Sequence, residues 1–370
     1  MTRAAIVMTV RNEQDLLRSN VLYHLHLGVE RFFVFLDATT DRTPETVSDL
    51  DAVTILPSCS GESFLEIEAH RVQHVRSPRL QEVVQKSASH HEARQMLNTI
   101  VALERSREED IEWLISLDPD ELLCLDPDTT AVGELVDFLA SQPAEVEAVS
   151  FPTSEIVQRR ATFGNVLAEA TLFKHEESWV ARPLYDPYRK QVRRHFYQPR
   201  KVLGLPVPKR KVLSWWYGHR LGKSAVRAGL ELLPRVHTFR RFDGGPLETR
   251  SAGRLLHYLL YSADDFVKKF KNYVSHPDTL VSGHALSYRK RVWIDMVNDP
   301  SFSEEDLRQY YDRWVAFDDD ELTGMKRGGA KPELVEVTGI VQAFRGLDVQ
   351  KSAAVESDGL SSPALRRPAE

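Results

Sequence analysis

Hydrophobic positions in the first third of the chain come in short blocks that stop abruptly at clusters of polar residues. Ala4-Ala-Ile-Val-Met-Thr-Val10 breaks into Arg11-Asn12-Glu13, Arg31-Phe-Phe-Val-Phe-Leu36 into Asp37-Ala-Thr-Thr-Asp41-Arg-Thr-Pro44, and Trp113-Leu-Ile-Ser-Leu117 into Asp118-Pro119-Asp120-Glu121. Short β-rich apolar runs bounded by turn residues predict buried strands. Between the first two, Leu16, Leu17, Val21, Leu22, Leu25 and Val29 recur at roughly helical spacing, and Gly28 stands where such a helix stops. Strand, helix and strand in succession make a βαβ unit, so the second strand should run parallel to the first and release its polar residues on the same sheet edge. Further on, the pattern predicts one long helix from Leu80 to about Arg107, a capped helix from Thr130 to Leu139 and a strand from Glu145 to Phe151. Leu233-Pro-Arg-Val236 is strand-like, and Ser262-Ala-Asp-Asp265 is a capping-box start for a helix from Asp264 to Tyr273. Beyond about Lys351 periodicity ends in a tail rich in Ser, Ala and Pro, expected to be disordered.

The acidic turn carries the sharpest chemistry. Pro119 fixes its own φ and supplies no backbone donor, so it ends the strand and leaves three carboxylates at the strand's carboxyl end. That is the edge where open α/β sheets bind ligands. Hard oxygen ligands beside a diphosphate suit Mg²⁺ or Mn²⁺, which complete their shells with phosphate and water. Each cluster also has a local reading. Asp-Pro-Asp is ordinary turn chemistry, Asn12 with Asp15 could cap a helix, and Thr43-Pro44 looks like a cap followed by a first-turn proline. None of these explains why all three strands end in polar clusters on one edge.

At this point the chain resembles a family. Val10-Arg-Asn12-Glu13, Tyr23-His24-x-x-x-Gly28-Val29-x-x-Phe32, Asp37-x-x-x-Asp41, Trp113 and Leu117-Asp118-x-Asp120-Glu121-Leu122 look like the glycosyltransferase family 2-like group that borders glycosyltransferase family 92. Gly222-Lys223-Ser224, Val236-His237 and Leu256-His257-Tyr258-x-x-x-Ser262-x-x-x-Phe266-x-x-Lys269 are similar to later elements of that group. The resemblance implies a GT-A fold: an α/β, Rossmann-like mixed sheet with helices on both faces, over residues 1–260. A mainly helical C-terminal extension would follow over 261–350, then the tail 351–370. It also implies that Arg11, Asn12, Glu13 and Asp37 line a nucleoside pocket, and that Asp118 and Asp120 bracket a metal and diphosphate, with Asp120 the preferred direct ligand. Arg94 would reach a phosphate or sugar from the helix that flanks the donor site. Without the resemblance, His90, His91, Arg94 and Gln95 are a solvated helix face. A histidine in the C-terminal part would add a metal or diphosphate contact, with His257 and His237 the candidates. An apolar-flanked histidine is otherwise a satisfied core residue.

Length and composition fit such an enzyme without identifying it. The chain has 370 residues, 42% of them hydrophobic, enough for one large α/β core with an appendage. No apolar stretch approaches the ~18 residues that span a bilayer, and the apolar start runs at once into Arg11-Asn12-Glu13, unlike a signal peptide. Cytoplasm is the expected location. Cys59 and Cys124 supply neither a disulfide framework nor a thiolate zinc set. One segment departs from the net charge of −6: Arg182 to Lys211 holds ten Lys or Arg against the single acid Asp186. An anionic acceptor, either an acidic glycan or a phosphorylated molecule, or an anionic membrane surface touched peripherally, would suit it. A solvated loop paired to the acidic body is the plainer reading. Nucleic acid is not expected, since no recognised binding module is present.

The function these readings favour is a metal-dependent glycosyltransferase moving a sugar from a nucleotide-diphosphate sugar to an acceptor hydroxyl, by inversion if it follows family 2, in glycan or surface polysaccharide synthesis. Asp120 would hold the metal with Asp118 and His257. Lys223, whose Gly-Lys-Ser context lacks P-loop spacing, would neutralise the departing diphosphate. Glu155 is the candidate base, with Glu176 and Glu177 behind it. A nucleotidyltransferase is the chemical rival, though its Gly-rich phosphate loop is missing after the first strand. A non-catalytic nucleotide-sugar-binding protein is the other.

Overall fold

The computed structural model describes residues 2–68, 77–175, 216–320, 322 and 334–347. The basic segment 182–211, Glu176, Glu177 and the tail 351–370 lie outside the described residues. In chain order the elements are β1 (Ala4–Val10), α1 (Leu17–His26), β2 (Arg31–Leu36), β3 (Val53–Pro57), α2 (Gly61–Glu68), α3 (Pro78–Lys86), α4 (His91–Glu108), β4 (Trp113–Ser116), β5 (Glu121–Cys124), α5 (Glu134–Ala140), β6 (Ala148–Phe151), β7 (Thr153–Ile156), α6 (Val166–Glu169), β8 (Leu172–His175), β9 (Lys223–Arg227), β10 (Leu232–Pro234), β11 (Phe239–Arg241), β12 (Thr249–Ser251), β13 (Arg254–His257), α7 (Ala263–Lys271), α8 (Tyr288–Asn298), α9 (Glu304–Trp314) and β14 (Leu334–Glu336).

A seven-stranded sheet of order β12-β6-β9-β4-β1-β2-β3 carries the nucleus of the fold, and a five-stranded sheet of order β14-β8-β7-β13-β5 stands beside it. β1, β2, β3 and β4 are mutually parallel where they pair, whereas β9 runs antiparallel to β4 and β6, so the sheet is mixed. β1 is apolar at successive positions because both of its faces are covered. Ile6 and Met8 join Leu17 and Val21 of α1 in one core, while Ala5 and Val7 join Ala93, Leu97 and Ile100 of α4 in the other. The α/β class, the mixed sheet and the helices on both faces are as the family resemblance implies, and the parallel β1-α1-β2 unit is as the hydrophobic pattern predicts.

Three elements depart from expectation, the first being the capped helix predicted from Thr130, since α5 starts at Glu134 behind Gly133 (φ +79) with no side-chain cap. The helix predicted from Leu80 to Arg107 is two helices, α3 and α4, separated by His90 in an extended conformation (φ −106, ψ 118). The Ser87 hydroxyl donates to the Val84 carbonyl at 2.7 Å, and Ser89 Oγ meets His90 Nδ1 at 2.9 Å, so short polar side chains draw the chain out of the helix. The acidic turn is also followed at once by a strand, β5, which leaves the first sheet and pairs with β13 in the second. Helices α7 to α9 pack through Phe266, Phe270, Trp293, Leu307 and Tyr311. The last described stretch returns to the main body, where β14 pairs with β8 and Phe344 stacks on Tyr23 of α1 at 5.7 Å.

Candidate active site

The parallel register puts the ends of β1, β2 and β4 side by side: Val7 pairs with Phe33 on one flank and with Ser116 on the other. The three polar clusters therefore share one sheet edge, which borders a cavity of about 1030 Å³. Arg11, Glu13, Asp37, Asp118 and Asp120 line it from the strand ends, Arg94 and Gln95 from α4, and His219, His237, His257 and Lys269 from later segments.

The acidic turn is held from below by α1. Asn20 Nδ2 donates to the carbonyls of Pro119 (3.0 Å) and Glu121 (2.7 Å), and the Tyr23 hydroxyl donates to that of Leu123 (2.9 Å). His24 donates from Nδ1 to Asn20 and accepts the Leu123 N–H at Nε2, 3.3 Å away, which fixes its tautomer. Burial lowers this imidazole to about 4, so it stays neutral and keeps both roles. The Tyr23-His24 pair is thus a support for the turn.

Above that support the carboxylates are dressed with donors. Asp118 Oδ1 accepts from Gln95 Nε2 at 2.7 Å, and Oδ2 from Lys223 Nζ at 3.1 Å. Asp120 Oδ2 accepts from Lys269 Nζ at 2.7 Å and lies 3.5 Å from His257 Nε2. Burial alone would raise both acids. Lys223 carries Asp118 below its ordinary range, and Lys269 with His257 holds Asp120 well below. Glu121 faces inward, burial pushes it up to about 7, and His219 Nε2 stands 3.3 Å from its Oε1. The rings of His219 and His237 lie 3.8 Å apart, their planes inclined by 33°, and burial depresses both to about 3. Arg94 grips both oxygens of Asp37 at 2.6 and 2.8 Å, a bidentate pair of the stronger kind.

Three of the sequence candidates sit differently. Asn12, with φ +58, ties the end of β1 to Thr40 and to Asn272 and lines a smaller hollow beside α7, not the main cavity. Lys223 is buried behind the cavity, its ammonium between Asp118 and Glu121 (3.1 and 3.4 Å), where it orients Asp118 instead of meeting a leaving group. Its position needs Gly222, where a Cβ would meet the Phe151 carbonyl oxygen at 2.0 Å. Glu155 is fully buried, salt-bridged to Lys174 at 2.8 Å, and accepts the N–H groups of Tyr217 and Gly218. A carboxylate so occupied and so far from solvent anchors a loop and cannot take an acceptor's proton. Conversely, Arg94 and Gln95 do not form a solvated face but grip Asp37 and Asp118. Lys269 and His219 were missed as site residues. The signal for Lys269 was its place at the end of the motif from Leu256 to Lys269 by which the chain resembles the family, to which no role was attached.

Asp118, Asp120 and His257, the metal set expected from the sequence, all line the cavity, and Asp120 Oδ2 lies 3.5 Å from His257 Nε2. Both carboxylates face ammonium groups, Asp118 that of Lys223 and Asp120 that of Lys269. Among the described residues, the group here that brings one ligand atom each within 4.8 Å is Glu121, His219 and His257. No helix among the described residues is long and apolar enough to cross a membrane.

No family model matches the chain. Two Arabidopsis thaliana proteins described as glycosyltransferase-like are similar to it. One is 23% identical over 344 residues, covering 91% of this chain and 71% of its own length. The other is 22% identical over 345 residues, covering 90% and 62%, so the chain spans under two thirds of that relative. Among solved structures, glucosyl-3-phosphoglycerate synthase from Mycobacterium tuberculosis, in complex with Mn²⁺, uridine diphosphate and phosphoglyceric acid, is similar at 12% identity and a TM-score of 0.27, over 62% of this chain and 57% of that one. HddC from Yersinia pseudotuberculosis is similar at 8% identity and a TM-score of 0.30, over 74% and 100%. Structural likenesses this shallow say nothing about chemistry.

Proposed function

We propose that the chain is a metal-dependent glycosyltransferase that takes a sugar from a nucleoside-diphosphate sugar. The observation that carries this reading is the convergence of Asp118, Asp120, His257 and Lys269 on the strand-end edge that also presents the Asp37–Arg94 pair. Similarity across nine-tenths of the chain to a glycosyltransferase-like relative supports it. Asp120 and His257, with Asp118 beside them, would hold Mn²⁺ or Mg²⁺. When bound, that ion stabilises negative charge developing on the leaving diphosphate. Lys269 lines the same cavity and, once released from Asp120, becomes a mobile cation for the phosphates. Lys223 keeps Asp118 ionised and fixed. Asp37 and Arg94 would receive the nucleoside. Inversion at the anomeric carbon, a GT-A family 2-like ancestry and an anionic or phosphorylated acceptor are the finer parts of the proposal.

The deciding experiment is release of nucleoside diphosphate from a panel of nucleotide sugars, with and without Mn²⁺. A nucleotidyltransferase would instead release pyrophosphate from a nucleoside triphosphate, and a binding protein would release neither. Calorimetry should show uridine or guanosine diphosphate binding at least about tenfold more tightly with Mn²⁺ than with chelator, a coupling of about 1.4 kcal/mol. If chelation leaves the affinity unchanged, the metal does not bridge protein and phosphate. Asp37→Ala should weaken the bare nucleoside by about tenfold or more, since a hydrogen bond to a charged group contributes about 1.5–3 kcal/mol. Unaltered uridine and guanosine affinities would place Asp37 outside the pocket.

A further inference from the structure

The rim of the same cavity carries a second cluster, contributed by two segments that sequence distance keeps well apart. His91 and Glu92 open α4, and His276 lies in the loop after α7. One ligand atom from each falls within 4.8 Å of the others. His276 and Glu92 are almost fully buried, with 4% and 8% of their side chains exposed, while His91 keeps 35%.

The hydrogen bonding of His276 makes this more than a crowd of polar groups. Its Nδ1 lies 2.7 Å from the Pro277 carbonyl oxygen, which can only accept, so Nδ1 carries the proton. On a neutral ring Nε2 is then a bare lone pair, and it faces the two oxygens of Glu92 at 3.2 and 3.0 Å. A lone pair against a carboxylate is repulsive unless something positive lies between them or on the ring. His91 brings a third donor to the same place, with Nδ1 3.5 Å from Glu92 Oε2. The Tyr273 hydroxyl stands 3.4 Å from its other nitrogen. The ring of His90 is 5.8 Å from that of His276, and its buried Nε2 has no hydrogen-bond partner among the described residues.

We propose that His91, Glu92 and His276 form a second cation site, suited to a transition metal of the Zn²⁺ type and separate from the Asp118–Asp120 edge. Two imidazoles and one carboxylate are a zinc-like donor set that leaves a position open to the cavity. The Pro277 carbonyl on Nδ1 is the outer partner that metal-bound imidazoles usually have. The N-terminal end of α4 disfavours a cation, and the charge of Glu92 in its first turn offsets that. A metal here clips the start of α4 to the loop after α7. α4 holds Arg94 and Gln95, which grip Asp37 and Asp118, and α7 holds Lys269, so the clip fixes the two walls of the cavity against each other. The proposal does not depend on the glycosyltransferase reading.

The test uses the chelator-stripped full chain with Zn²⁺ as probe and Co²⁺ as its spectroscopic substitute. The expected result is one equivalent of Zn²⁺ that survives in Asp120→Asn and His257→Gln and disappears in His276→Gln and Glu92→Gln. Co²⁺ should show visible absorption of a tetrahedral, nitrogen-containing site with the same pattern. Zn²⁺ should raise the Tm of Asp120→Asn by several degrees and leave that of His276→Gln unmoved. If His276→Gln does not fold by circular dichroism, the more exposed His91→Gln serves in its place. Zn²⁺ uptake unchanged by these substitutions would overturn the proposal. So would an NMR titration showing His276 as an imidazolium that Zn²⁺ does not perturb, because the Glu92 contact is then a plain ion pair.

Discussion

Asp120→Asn is expected to lower the rate of sugar transfer by about a thousandfold or more while changing the affinity for bare nucleoside only a few fold. The Asp120 side chain is nearly buried, with 12% exposed, and its Oδ2 meets both Lys269 and His257. Together those cations hold it ionised far below the ordinary carboxylate range, despite burial. An amide keeps the shape but loses the charge. It therefore gives up metal stabilisation of the leaving diphosphate, worth several kcal/mol, and about 4 kcal/mol is a thousandfold in rate. Asp118→Asn should cost less. One of its oxygens is already committed to Gln95 and the other to Lys223, and a third of the side chain faces solvent. Single-turnover release of nucleoside diphosphate at saturating Mn²⁺ measures the first effect, and calorimetry with nucleoside measures the second. A variant that folds and transfers within tenfold of wild type would remove Asp120 from the chemistry.

Much of this edge was legible because it is local. The boundaries of β1, α1 and β2 follow from apolar blocks and a stop at Gly28 (φ +92), and parallel pairing then forces Arg11, Asp37 and Asp118 onto one edge. Reading stopped where partners come from far along the chain. Lys269 reaches Asp120 across 149 positions, and His219 reaches Glu121 across 98. No periodicity encodes such meetings. The polar face of α4 misled for a related reason: a helical pattern distinguishes polar from apolar sides, but cannot tell solvent from a cavity lined with carboxylates. Asn12 shows the limit at single-residue scale. It stands between Arg11 and Glu13, which face the cavity, yet a left-handed backbone turns it toward Thr40 and Asn272. Glu155 misled in the opposite sense. An acid just past a strand that ends at Phe151 suggests a reagent, but Glu155 lies within β7, and β7 and β8 pair in a register that sets it directly opposite Lys174.

That buried pair is where the largest loss of stability is expected. Glu155 and Lys174 have no exposed side-chain surface and lie 2.8 Å apart. Removing one partner of such a pair leaves an uncompensated buried charge, which costs about 3–5 kcal/mol. The two partners should not be equivalent. Glu155→Leu takes from the Lys174 ammonium its carboxylate at 2.8 Å and also removes the acceptor of the Tyr217 and Gly218 N–H groups, and losing a buried hydrogen-bond partner costs about 1–3 kcal/mol. Lys174→Met leaves a carboxylate that still accepts both N–H groups, so it should sit at the mild end of the range. Acid separates the cases further. Burial alone would raise Glu155, but Lys174 outweighs it and the folded value lies below the ordinary 4.5. A depressed carboxylate contributes stability that is present above 4.5 and lost as pH falls through the folded value. Without Lys174, burial acts unopposed by that charge, and the acid-side loss should shrink or reverse. Urea midpoints at pH 7, 5 and 4 test both points. Equal losses from the two substitutions, or an unchanged acid slope in Lys174→Met, would show that the pair does not govern this part of the fold.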